Sequence, residues 1–168
     1  MKSPFETTNV RPSNWNEHTH NKGDCTTRSM TYCLNGAMSY EEIEAEQYRI
    51  GKEKGRVRNA TGVWDEIMLR RGYTWIQLEK RVSRQMIANY LSNFENAMIT
   101  ISRGHACAIH MGKVIDTWDS RSGRVYGILV KITDFDFVFS VLGNYGIHCS
   151  KTDFPKPVQT RKYRRRFF

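Results

Sequence analysis

Between residues 97 and 142 the chain is cut by Gly and Asp turns into short apolar or alternating runs: 97–102, 105–110, 113–118, 125–132 and 135–142. Such runs, rich in β-branched residues and bounded by turn formers, pair with their chain neighbours. They predict an antiparallel sheet of four or five strands, with 135–142 as the fifth. The segments ahead of them read mainly as helices. Helices first and strands after is an α+β order, N-terminal helices packed on a C-terminal antiparallel sheet.

The first helix signal is at Gly23-Asp24-Cys25. Gly23 tolerates a tight turn and Asp24 is a good N-cap residue, so Cys25 falls at the first helical position, with Met30, Leu34 and Cys33 on an apolar face and Asn35-Gly36 as the stop. Ser39 and Glu42 form a capping box that opens a charged helix through about Lys52. Residues 51–59 read as a surface connection. Residues 61–72 read as a helix with Val63, Trp64, Ile67 and Met68 inward, 73–78 as a strand, and 84–93 as a helix capped by Ser83. Three regions result: an irregular lead-in over 1–20, the folded domain over 21–150, and a basic tail over 151–168.

A cysteine at a helix start is chemically distinctive. The N–H groups there lack intrahelical partners, and with the positive end of the helix dipole they favour thiolate over thiol. The second chemical segment is a hairpin, 105–118, turning at Met111-Gly112 or Gly112-Lys113. With either two-residue loop His105 shares a face with Val114, Asp116 and Trp118, so a carboxylate on the neighbouring strand can orient its ring. Nucleophile Cys25, base His105 and orienter Asp116 are the parts of an activated-thiol site. Asp119 is the second candidate orienter, brought to the same face if a bulge or a longer turn reverses the strand parity.

In the order Cys25, His105, Asp116 the chain resembles papain-like cysteine peptidases, in particular the small C39-like group and its short bacteriophage-encoded members. The resemblance rests on Gly23-Asp24-Cys25 with Arg28, on Asn35-Gly36 with Ser39-Tyr40, on Gly104-His105, and on the run from Gly112 through Asp116 and Trp118 to Ser120. It covers about residues 20–120 and implies a Cys helix packed against an antiparallel sheet that carries the His. It further implies a peptide or isopeptide-like amide as substrate, no cofactor and no metal, and the host cytoplasm as compartment. Where the family carries a Gln shortly before the Cys as an oxyanion donor, this chain offers Asn21, Thr19 or Asn16, with the Cys25 N–H as a backbone donor.

Composition fits a folded chain: 168 residues, 39% hydrophobic and 12% aromatic, suit one domain with a substantial core. Neither the first residues nor any later run has the apolar length of a signal or a membrane span, so no membrane role is expected. Four cysteines in a chain this long predict reduced thiols and a cytoplasmic setting.

The net charge is +9, and five cations, Arg161, Lys162, Arg164, Arg165 and Arg166, cluster around Tyr163. Such a cluster suits RNA, DNA or an acidic host surface. It motivates a reading from another class, in which a peptidase-like fold acts only by binding host nucleic acid or a host protein machine. A third reading draws a zinc site from His105, Cys107, His110, His148 and Cys149, without the paired-Cys or helical His spacing that marks one. His18 and His20 read as polar surface.

Overall fold

The computed structural model describes residues 5–7, 10–15 and 23–158, and these form a mixed α+β structure around a seven-stranded sheet. In chain order the elements are β1 (Phe5–Thr7), α1 (Cys25–Leu34), α2 (Tyr40–Lys54), α3 (Glu66–Leu69), β2 (Tyr73–Ser83), α4 (Arg84–Tyr90), β3 (Met98–Ser102), β4 (His105–His110), β5 (Lys113–Asp116), β6 (Arg124–Lys131), a 3₁₀ turn (Ile132–Asp134), α5 (Phe135–Asn144) and β7 (Cys149–Thr152). The strand order is β1-β5-β4-β3-β6-β2-β7. All pairings are antiparallel except that of β1 with β5, so the sheet is mixed.

β6 explains the layering. Its residues Val125 to Val130 are all buried, and a register shift opposite Ile101 and Ser102 flips the strand's parity near Tyr126, so that its side chains reach both apolar clusters. Val125, Ile128 and Val130 pack with Ile87 of α4, with Leu91 just beyond it, and with Val138 and Leu142 of α5. Tyr126 and Leu129 pack on the other face with Met30 of α1, Ile43 and Ile50 of α2, and Ile67 and Met68 of α3. Helices therefore cover both faces, with α4 and α5 from within the strand region on one and the N-terminal helices on the other. Trp64 lies in the core, edge-on to Trp75.

The local signals hold at several ends. α1 stops at Asn35 in the left-handed region (φ 40°), and the capping box forms at Ser39, whose N–H donates to Glu42 at 2.8 Å while its hydroxyl accepts the Glu42 N–H at 3.1 Å. Ser83 accepts from the Met86 N–H at 3.2 Å and caps α4. The β4–β5 hairpin turns on Met111-Gly112, both at positive φ (50° and 74°), which fixes His110 opposite Lys113.

Other expectations are corrected. Asp24 occupies the N-cap position of α1, but its side chain makes no cap hydrogen bond because guanidinium partners claim it. α2 runs through Gly51 to Lys54 instead of giving way to a surface connection. Gly51 is what lets the chain double back there, since a Cβ would sit 2.6 Å from the Arg56 carbonyl oxygen. Only Glu66–Leu69 of the expected 61–72 helix forms, because Gly62 takes φ 92° and the Asp65 carboxylate, buried under the Trp75 indole N–H (2.9 Å), ties down the Gly62 N–H. α4 ends at Tyr90, short of 93.

The run 135–142 is helical, not a strand. Its Phe alternation mimics period two, but the residues that reach the core, Val138 and Leu142, are four apart. The lead-in supplies a strand, β1, and β7 adds another beside β2, crossing the expected boundary at 150. Strands therefore come from both ends of the chain. Among the described residues no helix is long and apolar enough to cross a membrane.

Candidate active site

α1 delivers Cys25 at its first residue and the hairpin delivers the other two groups. His105 opens β4 and Asp116 closes β5, and the two-residue turn sets their parity so that His105 Nε2 lies 2.6 Å from Asp116 Oδ2. Nδ1 is the ring nitrogen left for the thiol. The Trp118 ring, with its centroid 5.0 Å from that of His105, lies against the imidazole. Cys25, His105, Gly104, Thr61, Asn59 and Tyr126 line a cleft of about 170 Å³. A larger cavity of about 750 Å³ opens at the other end of α1, beside Cys33 and His110, and none of Cys25, His105 and Asp116 lines it.

Asp116 is saturated with donors. Oδ1 accepts the Thr117 N–H at 2.7 Å and faces Arg28 Nη2 at 3.3 Å, and Oδ2 takes the Ser120 hydroxyl at 2.6 Å besides His105. Burial alone would raise its carboxyl, but the hydrogen bonds from His105 and Ser120 outweigh it and hold the group below its ordinary range. Ser120 is itself fixed, its carbonyl accepting Arg84 Nη1 at 2.8 Å from a fully buried guanidinium.

Arg28 joins this carboxylate to the start of α1. One turn beyond Cys25, it donates through Nη1 to Asp24 and through Nη2 to Asp116. Asp24 is wholly buried and also accepts Arg11 Nε and Nη2, each at 2.7 Å, and the Tyr40 hydroxyl at 2.8 Å. Burial would raise its carboxyl, yet these partners hold it below its ordinary range.

The thiol and the imidazole each shift toward the charged form, and each favours the other's charge. For Cys25, burial acts upward but is outweighed by His105, the Ala106 N–H and the positive charges of His105 and Arg28, so the thiol lies below its ordinary range. For His105, burial acts downward and is outweighed by Asp116 and the Cys25 thiolate, so the ring is raised. The other three cysteines are free thiols pushed up by burial, Cys107 to about 11.

Asp116, and not Asp119, makes the hydrogen bond to His105 Nε2. Asp119 is exposed and its carboxylate pairs with Arg121, Oδ1 with Nε at 2.8 Å and Oδ2 with Nη2 at 2.7 Å. Asn16, Thr19 and Asn21, and the cluster Arg161, Lys162, Tyr163, Arg164, Arg165 and Arg166, lie outside the described residues. The five candidate zinc ligands do not converge: His110 is held by the Tyr32 hydroxyl and the Glu95 carbonyl, both at 2.8 Å. Among the described residues no group of three or more His, Cys, Asp or Glu is placed to hold a metal.

Sequence reasoning assigned no role to Arg28, Ser120, Arg84 or Asn59. The first two sit at helical and turn spacings from Cys25 and Asp116, a signal too common to select them. Asn59 lines the cleft and donates through Nδ2 to the Gly23 carbonyl at 3.3 Å, across a separation of 36 residues. Compared with family models, with curated proteins and with solved structures, the chain matches none.

Proposed function

We propose that this protein is a thiol hydrolase of papain-like fold that cleaves a peptide or isopeptide-like amide. One observation carries the reading: the carboxylate, imidazole and thiol stand in series, with Asp116 on Nε2 of His105 and Cys25 on the other side of the ring. A helix bearing the Cys at its first residue, packed on a sheet that carries the His and the Asp, supports the papain-like assignment.

In the first step the Cys25 thiolate adds to the amide carbonyl carbon and the carbonyl oxygen takes up the negative charge. The imidazolium of His105 then gives its Nδ1 proton to the amide nitrogen, the C–N bond breaks, and the amine leaves with Cys25 acylated. Water attacks the thioester as His105 takes its proton, releasing the acid and restoring the thiolate–imidazolium pair. Asp116 keeps Nε2–H donated and stabilises the imidazolium. The Cys25 N–H at the helix start and the Asn59 amide serve the oxyanion.

The test is incubation of the full chain and its Cys25→Ala variant with a diverse peptide mixture, read by mass spectrometry for new termini. New termini with the wild type alone support the reading. Identical peptide patterns from the two proteins refute it and favour the binding reading.

A further inference from the structure

On the hydrolase reading, we infer that the thiol cleft continues across Asn59 into a subsite for an acidic side chain of the peptide substrate. A second cavity of about 340 Å³ is lined by Tyr48, Lys52, Arg56, Val57, Arg58 and Asn59. Asn59 lines both this cavity and the cleft that holds Cys25 and His105. Arg56 ties the two together a second time. Its Nη1 lies 2.9 Å from where a Gly62 Cβ would stand, and the neighbouring Thr61 lines the thiol cleft. A peptide seated over Cys25 thus has a continuous wall leading to these cations.

The charge pattern selects the ligand. Residues 49–58 contain five cations. Arg49 pairs with Glu46 and Glu53, Lys54 with Glu66 at 2.5 Å, and Arg58 with Glu44 at 3.3 Å. Lys52 and Arg56 have no carboxylate partner among the described residues, and both line the second cavity. Lys52 lies in the last turn of α2, where a cation suits the helix dipole, but Arg56 lies beyond the helix and has no such role. Beside Asn59 and Arg58, whose charge Glu44 matches, the wall carries two apolar surfaces, Tyr48 at 53% exposed and Val57 at 68%, suited to the methylene stem of a glutamate. Two unmatched cations beside the apolar surfaces of Tyr48 and Val57, one neutral amide away from the nucleophile, fit a carboxylate side chain flanking the scissile amide.

The experiment labels Cys25 of the full chain with epoxysuccinyl peptides extended on both sides of the electrophile, carrying Glu, Gln or Lys at each flanking position in turn. Iodoacetamide is the small-molecule control. At one position Glu should label about tenfold faster than Gln at low ionic strength, and Lys slower than Gln, with the difference shrinking as salt screens the site. The double variant Lys52→Glu/Arg56→Glu should reverse the order while leaving the iodoacetamide rate unchanged. If iodoacetamide selects Cys25 but no position prefers Glu, or the preference survives in the double variant, the subsite is refuted and the hydrolase reading stands. If iodoacetamide does not select Cys25 over the other thiols, the hydrolase reading falls and the subsite with it.

Discussion

Arg28 Nη2 lies 3.3 Å from Asp116 Oδ1, joining the helix that presents the nucleophile to the carboxylate that orients the base. The same guanidinium donates to the buried Asp24, so the two halves of the site are held together by one cation between two carboxylates. A cation shared in this way sets the position of α1 against β5 and also adds positive potential at the thiol.

Arg28→Met should therefore act beyond packing. Turnover is expected to fall, because the variant loses both the tie between α1 and β5 and a positive charge near the thiol. The pH midpoint of Cys25 alkylation should move up, with Arg28→Lys restoring part of both. A variant that folds by circular dichroism and keeps the wild-type midpoint would limit Arg28 to a structural role.

Asp116 and Asp119 separate cleanly. Asp116→Asn removes the acceptor that fixes the His105 tautomer and should lower kcat by about 10²- to 10⁴-fold. Asp119→Asn, which disturbs an exposed pair with Arg121, should change kcat by less than about twofold. Steady-state kinetics on any substrate found in the peptide screen decides between them, and equal losses would contradict the geometry.

Asn59→Ala removes the side-chain amide of the thiol cleft. If that amide serves the oxyanion, kcat should fall by about 10²- to 10³-fold while the iodoacetamide rate at Cys25, which develops no oxyanion, stays the same. Parallel loss of both rates would mean that Asn59 holds the Gly23 turn instead.

Asp24 should govern acid stability. Its folded carboxyl lies below the ordinary value of 3.8, so it contributes stability that is present above that value and is lost as pH falls through the folded value. Asp24→Asn leaves Arg11 and Arg28 without their shared partner and should cost about 3–5 kcal/mol at neutral pH. Urea midpoints followed from pH 7 downward should show a shallower acid decline in the variant than in the wild type. Parallel declines would place the acid-sensitive group elsewhere.

What the sequence made legible was the chemistry that local rules govern. The Cys25 helix start, the capping box at Ser39, the Ser83 cap and the parity linking His105 to Asp116 all follow from spacings of a few residues. A two-residue turn leaves no freedom in which side chains share a face. Contacts between distant segments were not legible. The pairing of β1 with β5, the addition of β7 to β2 and the reach of Asn59 to Gly23 depend on where the elements dock. Asp24 shows the same limit: its residue type announces an N-cap, but burial beside Arg11, Arg28 and Tyr40 turned it into an ion-pair centre. At 135–142, Phe135, Phe137, Phe139 and Val141 in alternation suggested a strand, and only the core contacts of Val138 and Leu142 reveal the helix.

The most direct test of the thiolate–imidazolium pair is the pH dependence of site-resolved Cys25 alkylation by iodoacetamide, measured by peptide mapping in the wild type and in His105→Ala. The wild-type thiol should titrate below the ordinary range of a cysteine and react fastest of the four, since Cys33, Cys107 and Cys149 are shifted the other way by burial. His105→Ala should move the Cys25 midpoint upward, because it removes the hydrogen bond and the positive charge that favour the thiolate. A wild-type Cys25 that titrates like an ordinary thiol, or a midpoint that His105→Ala leaves in place, would contradict the account.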